Sequence, residues 1–117
     1  DIQLGDLDGD GELEIVVKRE PYDGANMGVW FNGTTLLEAY KMDGTFLWQI
    51  DLGINIRSGS HYTSYILYDF DGDGLCEIAF RSSEMIIVTA KQMVKVGTPE
   101  RLLREIRMTR LQLLLAV

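Results

Sequence analysis

One acidic motif occurs twice in this chain and constrains its fold more than any other feature. It reads DLDGDGELE at residues 6–14 and DFDGDGLCE at residues 69–77. Each copy places acids at positions 1, 3, 5 and 9 and glycines at positions 4 and 6. Because glycine permits a tight turn, alternate carboxylates of one copy can be brought around a single point.

Carboxylates clustered in this way favour a bound divalent cation. Negative groups at such close range repel one another without a counter-ion, and Ca²⁺ accepts about six to eight oxygen ligands in a flexible shell. The sequence therefore predicts two calcium sites, each including position 7 of its loop. The predicted metal ligands are Asp6, Asp8, Asp10, Glu12 and Glu14 in the first loop and Asp69, Asp71, Asp73, Leu75 and Glu77 in the second.

The residues that follow each loop indicate strands and not helices. An EF-hand loop carries a bidentate glutamate at its last position and lies between two helices. Val17 and Phe80 stand at that position here. The runs IVVK at 15–18 and IAFR at 78–81 are short, apolar and rich in strand-forming residues. Each loop is therefore predicted to join two β-strands.

The rest of the first 84 residues also predicts β-structure. Residues 19–33 are rich in glycine and asparagine and indicate a long exposed loop. Residues 36–50 predict a hairpin around an Asp-Gly turn. Strict alternation along its second arm would place Phe46, Trp48 and Ile50 on one face.

The spacing of the two loops predicts a structural repeat. The period from Asp6 to Asp69 is 63 residues, which leaves room for about four strands. Repeats of this length indicate the blades of a calcium-stabilised β-propeller, an all-β fold in which each blade buries its faces against its neighbours. Residues 1–84 would then hold one blade repeat and the start of the next.

Residues 85–117 differ in character from the preceding part. Thr98, Pro99 and Glu100 have the composition of a helix start, and leucines and arginines follow at helical spacing. We predict a divergent tail that is helical from about residue 98. Such a helix can pack on its own chain or contact a membrane surface or a partner. A third hypothesis is an aberrant terminus produced by a reading-frame error.

The acidic composition argues against some partners. The formal net charge of −7 does not suit nucleic acid or an anionic membrane surface. Much of that charge lies in the two loops, so it belongs to the predicted sites. We expect no membrane span, since no apolar run is long enough. The single cysteine, Cys76, cannot form an intrachain disulfide and is expected to be a small buried side chain.

Several segments of the chain resemble the rhamnogalacturonan lyases of polysaccharide lyase family 11. They are residues 5–18, 37–48, 50–63 and 68–74. Acidic loops of this kind are shared with many propellers, whereas the stretch NIRSGSHY at residues 55–62 joined to the second loop is more specific. The resemblance covers roughly residues 1–84.

The resemblance implies a fold, an activity and a location. The fold would be an eight-bladed β-propeller with several structural Ca²⁺ ions. The activity would be cleavage by β-elimination of rhamnogalacturonan I, the rhamnose–galacturonate backbone of pectin. It would take place outside the bacterial cytoplasm, in the periplasm, at the cell surface or in the medium. This chain would be a minor part of such an enzyme and is expected to be inactive alone.

β-Elimination imposes chemical requirements that few residues here can meet. A cation must neutralise the uronate carboxylate, and a base must remove the proton next to it. Ca²⁺ or arginine can serve the first role, and lysine, arginine, tyrosine or histidine the second. The candidates are Lys18, Arg57, His61 and Tyr62, although a lone histidine beside a strand is more often structural.

Two other classes of protein carry similar loops. A non-catalytic calcium-binding propeller module for protein or carbohydrate, as in integrin-type repeats, is the alternative, but it does not account for the similarity over residues 50–63. A dockerin-like module is disfavoured, since dockerin loops precede helices and lie closer together in sequence.

Overall fold

Strands provide the regular structure of this chain. The computed structural model describes residues 1–20, 33–59, 62–81, 86–90, 93–97 and 113–116. Within them the strands are β1 (Ile2–Gly5), β2 (Glu14–Arg19), β3 (Leu36–Tyr40), β4 (Phe46–Asp51), β5 (Tyr65–Tyr68), β6 (Glu77–Arg81), β7 (Ile86–Ala90), β8 (Met93–Gly97) and β9 (Leu113–Ala116). The predicted all-β class is confirmed.

The strands form two sheets. The larger has the order β1-β2-β3-β4-β7-β8, and all its neighbouring strands are antiparallel. The smaller has the order β5-β6-β9, with β5 antiparallel and β9 parallel to β6. The acidic loops join β1 to β2 and β5 to β6, so each connects two antiparallel strands, as the sequence predicts.

One face of each sheet contributes to a shared apolar core. Ile50 lies opposite both Leu37 and Val88 in the larger sheet, and all three are buried. In the smaller sheet Leu67 lies opposite Ile78 in the same way. Burial stabilises such side chains by roughly 1.5–3 kcal/mol each relative to exposure. The core therefore fixes which faces of the strands turn inward, and with them the direction in which each acidic loop leaves its sheet.

Two side chains attach the smaller sheet to the larger one. Gln3 in β1 donates from Nε2 to the carbonyl of Tyr65 at 2.6 Å, and its Oε1 accepts from the Leu67 N–H at 2.8 Å. The Tyr65 hydroxyl donates in turn to the carbonyl of Val16 at 2.8 Å. These bonds bring β1 and β5 together, and the two loops that follow these strands come together with them.

The β3–β4 hairpin lies in the predicted segment, with its turn at residues 41–45 around the Asp-Gly pair. The Gly44 N–H donates to the Lys41 carbonyl at 2.9 Å, and the Lys41 N–H donates to Thr45 at the same distance. Gly44 has φ of 90°, a conformation that favours glycine. The register then shifts between Ala39 and Tyr40, which marks a β-bulge.

Phe46 is predicted to share a face of the strand with Trp48, and the bulge makes this prediction wrong. Phe46 lies opposite Tyr40, and their rings meet edge to face with centroids 5.8 Å apart. Leu47 packs against the core beside the buried Trp48. A single inserted residue moves a side chain to the other face of a strand, so alternation counted across the bulge misplaces Phe46.

The chain beyond residue 85 continues the larger sheet. β7 pairs with β4, and β8 pairs with β7. Most of the predicted helix, residues 98–112, lies outside the described residues. Over Leu113–Ala116 the prediction is wrong, because this segment is a strand that pairs with the open edge of β6. An unpaired strand edge offers backbone partners that override a helical side-chain spacing. Among the described residues, no helix has the length and apolar character to cross a membrane.

Candidate metal centres

The second acidic loop brings four carboxylates together. One oxygen from each lies within 4.8 Å of the others. Oxygens bound to one Ca²⁺ at about 2.3–2.6 Å lie at most about 5 Å apart, so this spacing suits a single ion. The four residues are Asp69, Asp71, Asp73 and Glu77.

Backbone N–H groups hold the aspartates of this loop in place. Asp69 accepts from Gly72 through Oδ1 at 2.7 Å and from Gly74 through Oδ2 at 2.9 Å. Asp71 accepts from the Asp73 N–H at 3.1 Å. The loop backbone thus orients the carboxylates, which lowers the ordering cost of binding an ion.

Glu77 closes the second loop from the first position of β6. Glu77 is only 3% exposed. Oε2 accepts from the Phe70 N–H at 2.7 Å, whereas Oε1 is buried with no hydrogen-bond partner among the described residues. Burial raises the pKa of Glu77, and repulsion from the nearby aspartates adds to the rise. A buried carboxylate oxygen without a donor is costly, and a hard cation held by the loop would satisfy it. The donor set therefore fits Ca²⁺.

The first loop repeats this backbone arrangement. Asp6 accepts from Gly9 at 2.6 Å and from Gly11 at 2.9 Å. Glu14, which is 2% exposed, accepts from the Leu7 N–H at 2.6 Å. Burial raises the pKa of Glu14, as it does for the matching glutamate of the second loop. Three residues of this loop offer oxygens within 4.8 Å of one another: Asp6, Asp8 and Glu14.

Three predicted ligands lie outside these two groups of side-chain oxygens. Asp10 and Glu12 are exposed, and the Glu12 N–H donates to Asp10 Oδ1 at 2.8 Å. Leu75 donates its N–H to Asp73 at 2.9 Å. The role of position 7 in metal binding stays a prediction.

Lys41 is a residue of the first centre that the sequence patterns missed. Its Nζ lies 2.8 Å from Asp8 Oδ2 and 3.5 Å from Asp10 Oδ2. The hydrogen bond lowers the pKa of Asp8 and raises the pKa of Lys41. Lys41 and Asp8 are 33 positions apart, so no local spacing reveals the pair. It follows from the pairing of β3 beside β2.

The two loops lie against each other. The Cys76 N–H donates to the Asp6 carbonyl at 2.7 Å. A Cβ built on Gly9 would lie 2.8 Å from Leu75 Cδ2. Cys76 is predicted from the sequence to be a small buried side chain; it packs against the core but is only partly buried, and burial raises the pKa of its thiol.

The structure places three of the four candidate catalytic residues in structural contacts. Lys18, 7% exposed, donates from Nζ to the Tyr62 carbonyl at 2.8 Å and pairs with Glu20 at 3.2 Å. The Arg57 guanidinium lies 3.6 Å from the centre of the Tyr62 ring. The fourth candidate, His61, lies outside the described residues. A catalytic role for any of these four residues stays a prediction.

One described residue of the connector between β4 and β5 has a strained backbone. Thr63 has φ of 56°, which is rare for a β-branched residue. Its hydroxyl donates to the Arg57 carbonyl at 2.7 Å. Such strain persists only where the surrounding contacts enforce it, and the bonds from Lys18 are among those contacts.

These features define an all-β chain with paired acidic loops, each between antiparallel strands and each able to surround a cation. A family model, the C-terminal domain of rhamnogalacturonan lyase family 11, matches residues 1–102. The chain belongs to this family. The match continues beyond residue 84, where the sequence resemblance was expected to end.

Individual relatives agree with the family match. The chain is 51% identical over 87 residues to rhamnogalacturonan exolyase YesX and 46% identical over 85 residues to rhamnogalacturonan endolyase YesW, both of Bacillus subtilis (strain 168). Each alignment covers 72% of this chain but 14% of the relative.

Solved structures show the same similarity. The PL11 rhamnogalacturonan lyase of Bacillus licheniformis matches with a TM-score of 0.60 and 41% identity, covering 83% of this chain and 15% of that one. The exotype lyase YesX matches with a TM-score of 0.63 and 31% identity, covering 90% and 23%.

Proposed function

We propose that this chain is part of a calcium-dependent lyase that cleaves rhamnogalacturonan I, the backbone of pectin, by β-elimination. Membership of rhamnogalacturonan lyase family 11 supports the proposal, as do relatives named as an exolyase and an endolyase. The chain spans 14% of those relatives. The activity would therefore belong to the protein that contains this segment.

Within that protein the two loops would hold Ca²⁺. The observation that carries this part is the buried Glu77 Oε1, which has no partner among the described residues and lies beside three aspartates. Bound Ca²⁺ would neutralise the clustered carboxylates and cross-link each loop. We propose sites of the weak extracellular type, which suits an enzyme acting outside the bacterial cytoplasm.

The strand order supports a propeller as the architecture of the whole protein. Within the six-strand sheet, which β7 and β8 extend beyond β4, the first four strands form an antiparallel meander, and the smaller sheet starts again with β5 and β6 around an equivalent acidic loop. A meander of this size corresponds to one propeller blade, and a second sheet with the same opening corresponds to the start of another. Ca²⁺ bound in the loop between the first two strands of each blade would stabilise the blades.

Calcium binding can be tested on the chain directly. Isothermal titration and thermal unfolding of the wild type with Ca²⁺ or with chelator should show binding heat and a higher Tm in Ca²⁺. Glu77→Gln keeps the acceptor for Phe70 but removes one ligand charge, so its loop should bind at least about tenfold more weakly. Asp51→Asn is the matched control, since Asp51 lies outside both loops and the amide oxygen can still accept from Gly53. A wild type whose circular dichroism shows folded strands, but which gives no heat and no change in Tm, would exclude the calcium proposal.

Lyase activity needs the protein that contains this segment. Incubation with rhamnogalacturonan I and Ca²⁺ should release an unsaturated uronate, which is followed by its ultraviolet absorbance. Intact calcium and polysaccharide binding without any such absorbance would instead identify a non-catalytic binding module.

A further inference from the structure

We propose that Lys41 makes the two acidic loops unequal, so that the second loop binds Ca²⁺ more tightly and the first fills only as the Lys41 ammonium leaves Asp8. This inference rests on the proposed calcium binding. It assigns Lys41 a role in setting the order in which the two sites fill.

The contacts of the first loop support this role. The Lys41 ammonium lies 2.8 Å from Asp8 Oδ2 and 3.5 Å from Asp10 Oδ2. Asp8 belongs to the group of converging oxygens, whereas Asp10 does not. The ammonium is thus bound to one carboxylate that a metal ion would use and lies close to another that is not part of the group.

The two loops consequently differ in the charge that they present to a metal ion. The second gathers four carboxylates, among them Glu77 with its buried, unpartnered Oε1. The first loop gathers three carboxylates, and the Lys41 ammonium is bound to one of them. Calcium affinity in loops rises with the number of ligand charges and with rigidity, so the second loop is the stronger site.

Strand pairing explains why the ammonium is directed at the first loop. Ile15 lies opposite Tyr40 in the β2–β3 register, which places Lys41 beside Glu14 at the end of that loop. The backbone of Lys41 is fixed by its bonds in the hairpin turn. Its side chain and that of Asp8 are 36% and 39% exposed, so the ammonium can move into water when the loop binds an ion. An exposed ion pair of this kind is weak, so it lowers the calcium affinity of the first loop without preventing binding.

Calcium titration of the full chain tests the inference. The wild type should show a tight and a weak class of site. Glu77→Gln should weaken the tight class at least about tenfold, and Glu14→Gln should weaken the weak class in the same way. Circular dichroism of each calcium-free variant establishes that its strands still form, and a variant that fails this check is replaced by Asp71→Asn or Asp6→Asn for the same loop.

The decisive variants are at position 41. Lys41→Gln should tighten the weak class by about threefold or more, and Lys41→Glu should tighten it further. Arg81→Gln is the matched control. It also removes one positive charge, but Arg81 is exposed at the end of β6 away from the second loop. It should change neither class by more than about twofold.

The outcomes separate the two proposals. Equal affinities at the two loops, or an unchanged weak class in Lys41→Gln, would overturn the role of Lys41 and leave calcium binding in place. An absence of calcium binding in the wild type and in every variant would overturn the calcium proposal, and the role of Lys41 with it.

Discussion

The backbone N–H of Cys76 donates a 2.7 Å hydrogen bond to the carbonyl of Asp6, and this bond joins the two acidic loops. Asp6 opens the first loop, and Cys76 comes directly before Glu77, which closes the second. Gly9 and Leu75 add a packing contact between the loops. A change in the shape of one loop must therefore move the other or break these contacts.

The packing contact predicts unequal effects of the same substitution in the two loops. Gly9 and Gly72 occupy the fourth position of their loops, with φ of 81° and 78°, so alanine is strained by a similar amount, roughly 1 kcal/mol. A methyl group at Gly9 would lie 2.8 Å from Leu75 Cδ2, whereas at Gly72 it would meet no described atom within 4 Å. We expect Gly9→Ala to lower the free energy of unfolding by about 0.5–1.5 kcal/mol more than Gly72→Ala. Urea denaturation at saturating Ca²⁺ measures both.

A double variant tests the cause of that difference. If the new methyl group clashes with Leu75, then Leu75→Ala should be less destabilising in the Gly9→Ala background than alone. Equal effects of the two glycine substitutions would contradict the contact between the loops.

A second prediction concerns Gln3, which pairs with the backbone of β5 through its side-chain amide. Gln3→Ala leaves the Tyr65 carbonyl and the Leu67 N–H without these partners and should lower the free energy of unfolding by about 1–3 kcal/mol. Gln3→Glu keeps the acceptor for Leu67 but sets a carboxylate against the Tyr65 carbonyl. It should be as damaging at neutral pH and recover in part at about pH 4, where a protonated carboxyl group can donate. Denaturation at the two pH values gives the comparison, and identical losses at both would argue against the donor role of Gln3.

The parts of the fold that the sequence predicts are those governed by local chemistry. The acid and glycine spacing of each loop determines a turn whose glycines have positive φ, and strand-forming residues flank it. The grouping of the acids at positions 1, 3 and 9 follows from that spacing in both loops: Asp6, Asp8 and Glu14 in the first, and Asp69, Asp71 and Glu77 in the second.

Contacts set by strand register could not be predicted in this way. Lys41 meets Asp8, and Gln3 meets Tyr65, over separations of 33 and 62 residues. Neither pair has a signal in the spacing of neighbouring residues. The bulge beside Tyr40 also depends on turn geometry, and one extra residue is enough to reverse the face of Phe46.

A third prediction concerns Lys18, which anchors the connector before β5. Its Nζ donates to the Tyr62 carbonyl and pairs with Glu20. Lys18→Met removes these bonds from a buried position and should lower the free energy of unfolding by about 1–3 kcal/mol. Hydrogen exchange should rise about tenfold or more in peptides that cover residues 57–63 and stay unchanged in the acidic loops. Uniform protection across the chain would show that Lys18 does not hold the connector.

The fourth prediction concerns Tyr65, whose buried hydroxyl donates to the Val16 carbonyl. Tyr65→Phe removes this bond and should lower the free energy of unfolding by about 0.5–1.5 kcal/mol at neutral pH. Tyr65→Phe also serves as a control for denaturation at alkaline pH, because this variant keeps every other tyrosine of the chain.

The alkaline prediction follows from the direction of the Tyr65 pKa shift. Burial raises the pKa of Tyr65 above its ordinary value of 10.0. The unfolded chain therefore loses this proton at a lower pH than the folded chain, and the contribution of the neutral phenol to stability is complete below about pH 10 and is lost as the pH rises through the folded pKa. Between pH 9 and pH 11 the wild type should lose more stability than Tyr65→Phe, and their free energies of unfolding should converge. Parallel curves for the two proteins, measured by urea denaturation across this range, would show that the Tyr65 phenol ionises as readily in the folded chain as in the unfolded one.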